Sequence, residues 1–142
     1  MSAPRALEGE AVARGRKVAI VAARFNDFIV ASLLKGATAA WLDRGGPAED
    51  LLVARVPGAF ELPVAARRLA LSGRYDAVVA LGCVIRGDTP HFEYVAGECA
   101  RGLQLASLAA RLPIPFEYLP LDKLKYNLER AATDAGNKGG EA

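Results

Sequence analysis

Ala77-Val78-Val79-Ala80-Leu81-Gly82-Cys83-Val84-Ile85-Arg86-Gly87-Asp88-Thr89-Pro90-His91 is the stretch whose reading decides the fold. Its first five residues are an apolar run of strand length, and a helical pattern follows from Pro90, so residues 82–91 read as the turn between a buried strand and a helix N-terminus. Two glycines let backbone approach a ligand closely, Asp88 or Thr89 can cap the helix, and Pro90 suits its first position. The free N–H groups of such a helix start attract anions. The single histidine of the chain, His91, falls on that first turn.

Working outward, Lys17-Val18-Ala19-Ile20-Val21-Ala22-Ala23 is another continuous apolar run, a strand with both faces buried. After Arg24-Phe25-Asn26-Asp27, apolar residues return at helical spacing (Phe28, Ile29, Leu33, Leu34, Ala37, Ala40, Trp41), with Asn26 or Asp27 as N-cap and Gly45-Gly46-Pro47 as the stop. Leu51 to Val56 supplies a second strand, Pro57-Gly58 punctuates it, and a helix occupies residues 59–71. Beyond the opening stretch, Phe92, Val95, Ala96, Cys99, Leu103, Ala106 and Leu108 form the apolar face of a long helix that Pro113 ends. Ile114 to Leu119 reads as a fourth strand near an edge, because Pro115 cannot donate to a ladder. A last helix is expected over residues 123–135. Strands alternating with helices predict an α/β fold: a three-layer αβα sandwich on a four-stranded parallel sheet, in the flavodoxin-like order 2-1-3-4. Ligands then bind beyond the C-terminal strand ends, where residues 24–27, 57–61 and 82–91 gather.

With 142 residues, 52% of them hydrophobic, the chain suits one domain spanning 1–142, with residues 1–15 a flexible arm and 136–142 a polar tail. The net charge of +2, with both signs interspersed, points to neither nucleic acid nor a membrane surface as partner. No apolar run approaches the length of a bilayer span. Cys83 and Cys99 lack metal-ligand spacing and the density of a disulfide scaffold, so they are read as reduced thiols of a cytoplasmic protein.

Each candidate residue carries two readings. His91 can transfer protons near neutral pH or be an ordinary capping histidine. Gly87-Asp88-Thr89 can hold a phosphate or merely start a helix, and matches neither the phosphate loop of nucleotide hydrolases nor a dinucleotide fingerprint. Phe25 can stack on a planar ring or cap a core edge. Glu61 can bind a ligand or serve a helix first turn, where a carboxylate is favourable anyway. Arg130 and Lys138 are solvated charges unless folding or assembly brings them to a ligand.

Taken together, Ala23-Arg24-Phe25-Asn26, Val56-Pro57-Gly58-Ala59-Phe60-Glu61-Leu62-Pro63 and Gly82 to His91 with Phe92-Glu93-Tyr94-Val95-Ala96 resemble the lumazine synthase family. The similarity resumes at Leu128-Glu129-Arg130-Ala131 and Ala135-Gly136-Asn137-Lys138-Gly139. It implies an enzyme condensing 5-amino-6-(ribitylamino)uracil with 3,4-dihydroxy-2-butanone 4-phosphate to 6,7-dimethyl-8-ribityllumazine, releasing phosphate and water, with no metal or organic cofactor. By that resemblance Phe25 stacks on the pyrimidine, Asn26 and the backbone near Ala59 and Val84 to Ile85 orient it, and Glu61 binds the ribityl hydroxyls. Gly87, Asp88, Thr89 and Arg130 hold the phosphate, and His91 moves protons. Phe116, from an adjacent subunit, and Lys138 complete the pocket. The resemblance also implies a homopentamer with active sites between subunits, in some members assembled into a shell.

The family pattern breaks at Phe116-Glu117-Tyr118-Leu119-Pro120-Leu121-Asp122-Lys123 and in the preceding helix at Leu105, Ala109, Ala110 and Arg111, the last a usual glycine cap position. Leu105, Ala109, Tyr118, Leu121 and Tyr126 can form an apolar contact for a higher-order shell or a second protein component, or reflect repacking within the core. A structural building block of a larger assembly is therefore the alternative function.

Overall fold

The computed structural model describes residues 3–84 and 91–119, apart from the side chains of Phe92, Tyr118 and Leu119. In chain order these form β1 (Val18–Ala23), α1 (Asp27–Asp43), a 3-10 turn (Ala48–Asp50), β2 (Leu51–Val56), a second 3-10 turn (Ala59–Glu61), α2 (Leu62–Leu71), β3 (Ala77–Cys83), α3 (His91–Ala110) and β4 (Phe116–Leu119). All strand pairs are parallel and the order is β2-β1-β3-β4, the α/β arrangement expected from the sequence. The expected helix over 123–135 and the tail at 136–142 lie outside the described residues.

The pleat of β1 sorts the core into two layers. Ala19, Val21 and Ala23, with Val78 and Ala80 of β3, face Leu62, Ala66 and Ala70 of α2 and Cys99 and Leu103 of α3. Ile20 and Ala22, with Leu81 and Cys83, face Ile29, Val30 and Leu33 of α1. Leu33, Leu62, Leu81 and Leu103 are fully buried, each such side chain contributing about 1.5–3 kcal/mol. Both cysteines are buried in these layers, outside any disulfide. Burial pushes Cys83 up to about 11 and Cys99 to about 12, so both are protonated at neutral pH.

Several expectations need correction. Phe28 is 77% exposed, because the buried stripe of α1 runs through Ile29 and Leu33, one residue and about 100° away. Leu108 is likewise exposed, since the inward positions of α3 are Cys99, Leu103, Ala106 and Ala110. β3 continues through Gly82 and Cys83 instead of turning at Gly82. Gly82 is needed there for packing: a β-carbon on it would stand 3.2 Å from Leu62 Cδ1 and 3.6 Å from Ala59 Cβ. β4 starts at Phe116, two residues later than expected, although the carbonyls of Pro113 and Pro115 already accept from Val78 N–H (3.2 Å) and Ala80 N–H (2.9 Å). Prolines can accept from a neighbour but not donate to it, which ends the regular ladder early.

α1 stops where the glycines predict. Gly45 adopts φ 86°, its N–H reaches the Leu42 carbonyl (3.1 Å) and the Gly46 N–H reaches the Trp41 carbonyl (3.0 Å), a Schellman closure. Residues before β1 carry no regular structure among those described, but Ala13 is buried and donates its N–H to the Arg44 carbonyl at 3.1 Å.

Candidate active site

The turn from β1 into α1 is tied to the ends of both neighbouring strands. Arg24 N–H donates to the Val56 carbonyl (2.7 Å) and Phe25 N–H to the Pro57 carbonyl (2.8 Å), so the turn lies along the end of β2. Asn26 occupies the N-cap position with φ 59°, a left-handed conformation that asparagine tolerates. Its side chain does not cap α1, contrary to expectation. Its Nδ2 instead donates to the Cys83 carbonyl at 3.3 Å, reaching across to the end of β3. The Phe25 ring is left 66% exposed.

The turn after β2 comes up beside it. Glu61 is half-buried, and its Oε2 accepts the Gly58 N–H at 3.0 Å. A carboxylate offers several acceptor positions, so this bond leaves capacity for ligand hydroxyls. Gly58 lies between the two candidate side chains: a β-carbon there would be 3.3 Å from Glu61 Oε2 and 3.9 Å from Phe25 Cβ. Ala59 is buried beside Gly82, and the Phe116 ring edge is close to the same point, 3.9 Å from where a Gly82 β-carbon would stand. Val84 is buried at the end of β3. His91 is exposed as the first residue of α3.

The described residues thus bring Phe25, Asn26, Ala59, Glu61 and Val84 to the C-terminal end of the sheet, with His91 at the start of α3 and Phe116 starting β4 opposite Ala80, its ring edge near Gly82. Phe116 packs against the core of its own chain, half-buried. Ile85, Gly87, Asp88, Thr89, Arg130, Lys138, Leu121 and Tyr126 lie outside the described residues. Among the described residues no group of three or more His, Cys, Asp or Glu is placed to hold a metal ion. No helix among them is long and apolar enough to cross a membrane.

One pair at this end escaped the sequence reading. Arg55, next to last in β2, forms an ion pair through its NH2 group with Asp27 Oδ1 at the first residue of α1. The signal was a lone cation closing the strand Leu51-Leu52-Val53-Ala54-Arg55-Val56 immediately before a turn of candidate residues.

Residues 15–142 match the family model described as 6,7-dimethyl-8-ribityllumazine synthase. The chain is also similar to the 6,7-dimethyl-8-ribityllumazine synthase of Nitratidesulfovibrio vulgaris (strain DSM 19637 / Miyazaki F), 50% identical over 138 residues that cover 97% of this chain and 88% of that protein.

Proposed function

The chain belongs to the 6,7-dimethyl-8-ribityllumazine synthase family, and from that premise we infer that it condenses 5-amino-6-(ribitylamino)uracil with 3,4-dihydroxy-2-butanone 4-phosphate to 6,7-dimethyl-8-ribityllumazine, releasing phosphate and water. The observation that carries this reading is the 50% identity sustained over 97% of the chain. A purely structural role is not favoured by it.

The substrates bring their own reactivity, an aromatic amine and a ketone. The protein has to hold them together and move protons through imine formation, phosphate elimination and ring closure. No electron carrier enters that balance, so the proposal includes no cofactor. Phe25 stacks on the pyrimidine, with Asn26 and the backbone at Ala59, Val84 and Ile85 orienting it, and Glu61 takes the ribityl hydroxyls. What supports these roles is the approach of the Phe25 and Glu61 side chains to Gly58 and the tie from Asn26 to the end of β3. His91 handles protons from the first turn of α3. Gly87, Asp88, Thr89 and Arg130 receive the phosphate, and Lys138 and a neighbour's Phe116 complete the pocket.

The proposed assembly is a cytoplasmic homopentamer with active sites between subunits. Exposed Phe60, Val64 and Tyr94 support self-association, since they present large apolar side chains on the 3-10 turn, α2 and α3. Leu105 and Leu108 with Ala109 expose a further apolar patch near the end of α3, which suits contact with another pentamer or a second component. Native mass measurement tests the assembly: a monomer at micromolar concentration overturns it. The activity test is incubation with both substrates, following lumazine by its absorbance and fluorescence. Steady product formation is expected, and its absence at saturating substrate overturns the assignment.

A further inference from the structure

We propose that Arg55 is a positioning residue for this reaction, acting through Asp27 to hold the Phe25–Asn26 turn in the shape that receives the pyrimidine. The inference rests on the activity inferred above and extends it to two residues that activity does not itself assign.

In the sheet register Arg55 is opposite Ala22, and register partners on parallel strands point to the same face. Ala22 faces α1, so Arg55 is directed to the side where Asp27 begins that helix. The pair therefore joins the end of β2 to the residue immediately after the turn. With the two backbone bonds from Arg24 and Phe25 it completes a brace: one end of residues 24–27 is laced to β2 through main chain, the other through side chains. Between the two ties lie the exposed Phe25 ring and the left-handed Asn26.

Stability alone does not account for this arrangement. Asp27 is 67% exposed, and exposed ion pairs contribute little to folding. Arg55 is drawn further in, 27% exposed, and its Nε is buried with no hydrogen-bond partner, an arrangement that disfavours the folded state. A carboxylate in the first turn of α1 is favourable with no partner at all, which explains Asp27 but not Arg55. What the pair supplies is a fixed distance between the two turns that carry Phe25 and Glu61. Misplacement of a positioning element by about 1 Å can cost on the order of 100-fold in rate when it reaches the reacting groups. Here the displaced group is the ring-stacking side chain, so the consequence falls on binding of one substrate.

The test is Arg55→Met, which keeps the aliphatic stem and removes the charge, in the full chain with each substrate varied in turn. Expected is a rise of about fivefold in KM for the aminopyrimidine, with KM for the butanone phosphate changed by less than about twofold, a split that general loosening of the fold does not produce. Asp27→Asn should reproduce the split without disturbing β2, and Arg55→Lys should restore part of the loss. In a Phe25→Ala background Arg55→Met should add less than about twofold, because the side chain it positions is gone. Lumazine affinity, read by fluorescence titration, should fall in parallel with the aminopyrimidine KM. Equal changes in both KM values, no change in either, or full additivity with Phe25→Ala overturns the positioning role while leaving the activity standing. A parent chain that neither turns over nor binds lumazine removes the activity and this role together.

Discussion

At the N-terminal end of the sheet α1 and α2 close through glycines in the left-handed conformation, while at the C-terminal end an asparagine takes that conformation and aromatic and charged groups are left exposed. α1 closes through Gly45 at φ 86°, and Gly46 follows directly against the Trp41 indole, whose Nε1–H is tied to the Pro47 carbonyl at 2.8 Å. α2 is followed by Gly73 at φ 76°. At the other end Asn26 takes the left-handed conformation without being glycine, because its side chain is needed to reach the Cys83 carbonyl. The lesson is a division of labour along the strand direction. Groups that fix the fold are at one end, and groups free to meet a ligand are at the other, as expected for an open parallel sheet.

The largest expected effect that separates the ends is on turnover. His91→Ala at the C-terminal end should lower kcat by about 10²-fold, the lower part of the range for general acid–base help, and leave the urea midpoint unchanged because the residue is exposed. Stopped-flow product formation together with urea unfolding reads both. Undiminished turnover removes His91 from the chemistry, and a large stability loss breaks the proposed division.

Gly46→Ala is the mirror test. A β-carbon there would stand 2.1 Å from Trp41 Cε2 and 2.4 Å from Nε1, far inside contact distance. The indole is pinned by its bond to Pro47 and cannot step aside without losing it. Such overpacking costs roughly 1–3 kcal/mol, so the urea midpoint should fall while turnover per folded subunit stays at the parent value. Reduced turnover in fully folded protein would show that the two ends are coupled after all.

How far this division was legible in the sequence depends on what kind of signal each residue gives. Gly45-Gly46-Pro47 predicted its own conformation, because glycine and proline restrict backbone directly. The parallel sheet followed from apolar runs alternating with helical patterns, whereas its order was expected from likeness to a flavodoxin-like arrangement. Phe28 and Leu108 misled because hydrophobicity says that a residue prefers burial, and only the helix phase says whether it gets it. Asn26 was read as a cap from its type, but the cap bond competes with a longer-range acceptor, the Cys83 carbonyl, that no local pattern reveals. That Phe25 and Glu61 serve one ligand was expected only from motif resemblance, since their separation of 36 positions carries no periodic signal. Arg55 gave only one charge at a strand end, and its partner Asp27 lies 28 positions away.

The smallest effect concerns the one helix end among the described residues that departs from the glycine rule. α3 terminates on Arg111 at φ 57°, its N–H bonded to the Ser107 carbonyl at 2.9 Å, the position for which Gly45 and Gly73 serve α1 and α2. For an L-residue with a β-carbon the left-handed region costs about 1–2 kcal/mol. Glycine removes that cost but loses roughly 0.5–1 kcal/mol through its greater freedom in the unfolded chain. A cation at a helix C-terminus also interacts favourably with the helix dipole, by about 0.3–1 kcal/mol at an exposed site. At mid-range the gain and the two losses nearly cancel, so Arg111→Gly should move the urea midpoint by less than the equivalent of about 0.5 kcal/mol, with turnover unchanged. A larger downward shift would mean that the guanidinium at the end of α3 outweighs backbone strain.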